Sequence, residues 1–253
     1  MRATKLESLA SMAEMELRRL RHDPFEILTR AVQPILWVAV FGSVMARIRA
    51  FPSVGDYVTF ITPGVVLQSS TFISLAYGIA LIFERESGIL KKLLTSPIPR
   101  SYIVVGRALA GGVRASTQYV IVLASAAVVG ARISSDPLNL VAGYLILVMA
   151  CMGFTSLSIL IASLLKTRER FMGIIGAITM PLFFASNALY PIEVMPDVIK
   201  YISLANPLTY TVSALRKLLV SNSYDVFQEI LVLACFTIIS LGVAVKNLKK
   251  IIE

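Results

Sequence analysis

Charge is scarce in this chain. Of its 253 residues 15% are Asp, Glu, Lys or Arg, against 57% hydrophobic, and the mean hydropathy is +0.78. A soluble domain of this length does not tolerate that balance, so the composition belongs to a polytopic membrane protein. Histidine and cysteine are nearly missing as well. His22 is the only histidine and reads as a polar residue at headgroup level, not as a pH sensor. Cys151 and Cys235 lie inside apolar runs, where they read as packing residues, and neither has metal-ligand spacing to a partner. With so few ligating or acid–base side chains, a metal site and a membrane-embedded enzyme are both excluded. No G-x-x-x-x-G-K-[ST] stretch occurs, so nothing here cradles a nucleotide phosphate. The net charge of +9 does not signal nucleic acid, because the basic residues are scattered through short polar gaps.

What is present is a series of long apolar runs. About 20 helical residues cross a bilayer core. Six runs meet or approach that length, at about 31–48, 58–83, 102–130, 138–165, 171–190 and 226–246. No signal peptide is expected ahead of them, since the first 30 residues are charged and contain no apolar h-region. With six spans both ends share a side, and that side collects seventeen Lys and Arg against six on the other. The positive-inside rule then places both termini in the cytoplasm.

Three segments outside the runs are amphipathic. Within residues 1–24, Leu6, Leu9, Ala13, Leu17 and Leu20 share a stripe opposite Glu7, Glu14, Arg18 and Arg21, the pattern of a helix lying along the inner membrane surface. Residues 83–100, FERESGILKKLLTSPIPR, run from Glu84 and Glu86 to Lys91 and Lys92, a charge order that suits a helix dipole. Ile89, Leu90, Leu93 and Leu94 form one face of this cytoplasmic helix. Taken alone, that face fits a bilayer surface as well as a protein cleft. Gly88 weakens the helix by about 1 kcal/mol relative to Ala, which suits either a close approach to a partner or a break after the span. Residues 191–220 are too apolar for a solvated loop, yet Pro191, Pro196 and Pro207 cut them into pieces too short to span. Asn206 followed by Pro207 reads as a helix cap with Pro at the first position. Two short helices entering and leaving the outer leaflet fit this stretch, provided their backbone packs on protein.

Two of these stretches carry a family resemblance that extends over essentially the whole chain. FERESGILKKLLTSPIPRSYIVVGRALA is similar to the Glu-Arg-Glu-x-Gly, Leu-Leu-x-x-Pro and Gly-[Lys/Arg] series of the permease subunits of ABC-2 type exporters. ALYPIEVMPDVIKYISLANPLTYTVSALR resembles the same family's Tyr-Pro, Met-Pro and Asn-Pro-Leu-Thr-Tyr series before a final Arg, nearest its drug-efflux branch. One departure is Ser213, where many members of that branch have Asp three residues before the Arg.

The resemblance implies an all-α membrane domain over residues 1–253, with six spans, an interfacial N-terminal helix, a coupling helix and two re-entrant extracellular helices. Glu84, Arg85, Glu86, Gly88, Leu93 and Leu94 become the contact to a separate ABC ATP-binding subunit, which would hold ATP and Mg. The chain itself needs no cofactor. Its other partners would be a second copy of itself, or a close paralogue, and membrane lipids, in the cell membrane of a prokaryote. Tyr190, Pro191, Pro196, Asn206, Pro207, Tyr210 and Arg216 become an outer gate, with Arg216 and Lys217 reaching phosphate headgroups.

Polar residues inside spans usually turn inward, so Gln68, Ser70, Thr71, Ser74, Tyr77, Thr179 and Asn187 are candidates for a pathway on a dimer-facing surface. Hydroxyls that merely bond their own helix are an equal reading of the same residues. Their uncharged character suggests an amphipathic small molecule as cargo, and a polysaccharide or lipid-linked glycan is the alternative. Arg114 and Gln118, one turn apart in the third run, fit snorkelling to the inner interface better than cargo contact. An ion-coupled secondary transporter is the competing class. It is disfavoured because no Asp or Glu is evident at mid-span.

Overall fold

A computed structural model describes residues 24–49, 51–90, 99–165 and 167–247. The described residues contain helices and no strands. The elements are α1 (Pro24–Leu36), a π-helical turn (Trp37–Gly42), α2 (Ser43–Arg47), α3 (Tyr57–Ala76), α4 (Ile79–Glu86) and α5 (Arg100–Val129). They continue with α6 (Pro137–Leu164), α7 (Arg168–Phe184), α8 (Asp197–Ala205), α9 (Pro207–Leu219) and α10 (Phe227–Asn247). Among the described residues five helical stretches are long and apolar enough to cross a membrane: Thr29–Arg47, Tyr57–Glu86, Ser101–Val129, Pro137–Leu164 and Phe227–Asn247. The expected interfacial helix falls almost entirely on residues 1–23, and Leu93 and Leu94 fall within 91–98. Both lie outside the described residues.

Side-chain oxygens and glycine set the helix ends. Asp56 Oδ1 accepts from the Val58 amide at 3.2 Å and starts α3. Asp136 does the same for α6 at 3.0 Å, with Pro137 at the first position. Gly130, at φ +96°, closes α5 in the left-handed conformation that glycine adopts without cost. In α1, Pro34 removes a ladder donor, and the π-helical turn follows three residues later. Within that turn Trp37 meets Phe41 edge-on, and it meets Phe183 in the same way, at 4.9 and 6.0 Å between centroids.

α6 is apolar all round and sits in the middle, packed on α3, α5, α9 and α10. Small residues make those crossings close. The amide of Gly78 donates to Ser158 Oγ of α6 at 3.0 Å, and that hydroxyl donates to the Leu75 carbonyl. A Ser158 side chain thus stands inside the helix ladder between α3 and α4. This explains why the second apolar run is two helices and not one. A Cβ on Gly78 would come within 2.7 Å of the Ser158 carbonyl.

The fifth run also departs from expectation. α7 ends at Phe184, and residues 185–190 are turns, where a helix to 190 was expected. The reason lies at Asn206, whose side-chain amide donates to the Leu182 and Ala185 carbonyls at 2.7 and 3.3 Å. Those are carbonyls that a continuing helix would have needed. The turn then folds back on α3. Tyr57 Oη donates to the Leu189 carbonyl at 2.8 Å, and Gly64 lies against the Ala188 backbone.

Candidate functional site

The acid-and-base segment after α3 does not form one helix over 83–96. Glu84, Arg85 and Glu86 end α4, Ser87 caps it, and Gly88 adopts φ +74°, a left-handed turn from which the chain resumes helix at 89–90. Glycine is therefore required here for a break. Leu90 is buried, whereas Ile89 is 55% exposed, so the two do not share a face.

Within this segment the three charged side chains are tied to the chain itself. Glu84 pairs with Arg107 of α5. Arg85 donates to the Leu165 carbonyl at the end of α6, at 2.6 Å. Glu86 pairs with Arg168 of α7, whose guanidinium also lies 3.6 Å from the Phe83 ring centroid. One short segment thereby holds the ends of α5, α6 and α7 together. In the sequence Arg107 was counted as a topology charge and as the Arg of the Gly-[Lys/Arg] series, and Arg168 only as a topology charge. Their partners are 23 and 82 residues away, too far for any local pattern to reveal.

At the opposite end of the bundle the proline-rich segment closes over α3. Pro196 leads into α8, whose Val198, Tyr201 and Ile202 are exposed, while α9 turns Leu208, Val212, Leu215 and Leu219 inward. Asn206 works in two directions. Its Oδ1 accepts from the Leu208 amide at 3.0 Å, capping α9, while its Nδ2 makes the two bonds to the end of α7. Tyr210 Oη donates to the Leu204 carbonyl at 2.7 Å, and Tyr190 Oη donates to that of Phe184. Pro191 precedes a short 3-10 turn, Ile192–Val194.

Arg216 does not face phosphate headgroups, which corrects the expectation from its position. It turns inward, donating to the Asn187 and Phe60 carbonyls at 2.9 and 3.3 Å, with its guanidinium 3.8 Å from the Phe60 ring centroid. Carbonyl dipoles and the ring face supply the negative potential that a cation at a half-buried position needs. Ser213, which stands where an Asp is usual, accepts from Asn187 Nδ2 at 2.8 Å. Lys217 is likewise engaged, with Glu229 at the start of α10 at 2.8 Å and with the Asp225 carbonyl at 2.7 Å. Glu229 is buried, an acid near a span end that composition alone did not single out.

The pathway candidates divide into three groups. Ser70, Thr71 and Ser74 are buried within this one chain, with Ser74 Oγ donating to the Ser70 carbonyl of its own helix at 2.9 Å, so they do not form a dimer-facing row. Tyr77 sits at the break before Gly78. Asn187 belongs to the Ser213–Arg216 cluster. Gln68 and Thr179 meet at a cavity of about 360 Å³ between α1, α3, α5 and α7, to which Gln33, Phe72 and Gln118 also contribute. Gln118 is buried beside that cavity and was not read from the sequence as part of it. Among the described residues no three His, Cys, Asp or Glu side chains cluster to hold a metal.

A core of long apolar helices joined by two elaborately bonded ends is an architecture for moving something across a membrane. Residues 7–220 match the ABC-2 type transporter family. The chain belongs to that family. It is 31% identical over 223 residues to a transport permease, ycf38, of Cyanophora paradoxa, covering 87% of this chain and 77% of the relative. It is 23% identical over 222 residues to the daunorubicin resistance ABC transporter permease protein DrrB1 of Streptomyces coeruleorubidus, covering 86% and 77%. A multidrug ABC transporter permease of Escherichia coli K12, YbhR, matches at 28% over 159 residues, which is 61% of this chain and 42% of that one. This ABC-2 chain is thus a multi-pass membrane permease. Plastid-encoded relatives exist beside the bacterial ones, so the expected prokaryotic source is not supported.

Proposed function

We propose that this ABC-2 permease is the membrane half of an ATP-driven exporter and moves a neutral amphipathic small molecule out of the cell. ATP and Mg act on a separate ATP-binding subunit, and two copies of the permease form the pathway. α7 serves as a sixth span of 17 residues, about 25 Å of helix at 1.5 Å per residue. Both termini are cytoplasmic, and α8 and α9 dip into the outer leaflet.

The observation that carries this reading is the lattice at Glu84, Arg85 and Glu86. A segment that leaves a left-handed hinge at Gly88 is connected through three polar contacts to the ends of α5, α6 and α7. A push on residues 89–98 by a partner is therefore delivered to several spans at once. The contacts hold the spans, and the apolar positions Leu93 and Leu94 provide the anchor in the partner's cleft. The drug-resistance relatives favour a small amphipathic cargo over a glycan.

The test is co-purification. Changing Leu93 and Leu94 to Asp should remove the ATP-binding subunit, or its cargo-dependent turnover, while the permease stays inserted and monodisperse. Normal association together with normal turnover would end the docking role.

A further inference from the structure

The cavity between α1, α3, α5 and α7 contains an unusual group. Gln118, on α5, is 1% exposed, and among the described residues neither its amide nitrogen nor its carbonyl oxygen has a hydrogen-bond partner. A buried primary amide with both ends unpaired is costly in a bilayer-embedded bundle, where no bulk water compensates. It lines the cavity of about 360 Å³, within the size range of small-molecule sites. Across from it the walls are Phe72, Met180 and Phe183, with Gln68 and Thr179 as further polar points. Among the described residues no Asp or Glu lines the space, and Arg30, the charged residue that does, is already engaged.

We propose that this cavity, lying within one copy of the chain, is a binding site for a neutral aromatic molecule that presents a hydrogen-bond donor and an acceptor side by side, as an amide or sulfonamide does. Such a pair meets both ends of Gln118 at once: the ligand N–H donates to Oε1 and the ligand oxygen accepts from Nε2. The aromatic body lies against Phe72 and Phe183. Cationic molecules are disfavoured because no carboxylate among the described residues lines the walls. The proposal rests on the exporter reading and assigns its cargo a recognition element. It also explains why a glutamine, and not an apolar residue, occupies a position closed off from water.

Dansylamide is a suitable probe, having the paired donor and acceptor on a fluorescent ring, and its N,N-dimethyl analogue lacks the donor. Titrated into purified permease in lipid nanodiscs, with empty nanodiscs as blank, dansylamide should bind saturably and more tightly than the analogue. Gln118→Met keeps the side-chain volume, and it should weaken dansylamide by about tenfold or more and erase the difference between the two probes. An azido derivative should crosslink wild-type protein on α5 or α7, a readout that does not depend on any variant folding. The proposal is overturned by absent saturable binding, by an equal effect of Gln118→Met on both probes, or by crosslinks confined to other helices. Association of Gln118→Met with the ATP-binding subunit is scored in parallel. If it persists while probe binding is unchanged, the cavity assignment fails and the exporter reading stands.

Discussion

Removing the Asn206 side chain should loosen two helix ends at once. In Asn206→Ala the α9 cap is lost, which costs about 0.5–2 kcal/mol. The two bonds to Leu182 and Ala185 go with it, at about 0.5–1.5 kcal/mol each. Because the three bonds share one side chain and do not add fully, a combined local loss of about 1–4 kcal/mol is expected. At tenfold per 1.4 kcal/mol, opening of this corner becomes roughly 5- to 700-fold more frequent. Hydrogen exchange in nanodiscs reads the two ends separately. The amides of Ala185 and Ser186 report on the end of α7, where they donate to Pro181 and Phe183, and the Leu208 amide reports on the cap. Asn206→Ala should speed exchange at both. Asn206→Asp keeps an acceptor for Leu208 but cannot donate, and it sets a carboxylate beside two carbonyls, so only Ala185 and Ser186 should accelerate. In reconstituted vesicles export per ATP should fall in both variants while the ATP-binding subunit stays attached. Wild-type exchange at both ends in Asn206→Ala would refute the clamp, as would an Asn206→Asp protein indistinguishable from wild type at Ala185 and Ser186.

Three further outcomes are expected. Gly64→Ala places a methyl 2.8 Å from the Ala188 Cα, so it should cost about 1–3 kcal/mol or more and lower the thermal midpoint of the purified protein; an unchanged midpoint would mean that the turn does not press on α3. Glu84→Arg and Arg107→Glu should each abolish cargo-stimulated ATP turnover, and the exchanged pair should recover part of it. No recovery would assign the two residues separate roles. Single cysteines at Ser53 and Asp197, in a background without Cys151 and Cys235, should react with an impermeant thiol reagent outside intact cells, and one at Ser87 should not. Labelling at Ser87 would invert the topology and remove the coupling reading.

The parts of this fold that were legible in the sequence are those determined by near neighbours. Asn206 followed by Pro207 specifies a capped helix start within four residues, and Leu208, Val212, Leu215 and Leu219 specify the face it buries. Five of the six long apolar runs coincide with helices that, among the described residues, are long and apolar enough to span, because bilayer thickness constrains their length. The misreadings arise where a distant side chain completes a backbone. Ser158 breaks the second run from 80 residues away. Asn206 ends α7 from beyond 20 residues away. Arg216 looked like an interfacial cation because its acceptors, the Phe60 and Asn187 carbonyls, are backbone groups that composition cannot advertise. Glu84 and Glu86 looked available to a partner because the arginines they pair with, Arg107 and Arg168, lie 23 and 82 residues away. One local signal went unused: Pro34 inside an apolar run announces a helix that cannot keep regular geometry.

That irregular turn in the first span has a consequence for how the span divides its labour. A π-helical turn holds an extra residue, so it rotates everything beyond it by about 100° relative to an uninterrupted helix of 3.6 residues per turn. Before the turn, Gln33 points to the cavity; beyond it, Met45 and Ala46 pack on the core. The span therefore works like two cams on one shaft, set at different angles. A protein shortened by a single residue within Trp37–Gly42 would keep its hydrophobicity and its length to within one step, yet the two cams would fall into line. Met45 and Ala46 would then swing away from the core, and their packing there would be lost without any side chain having been removed.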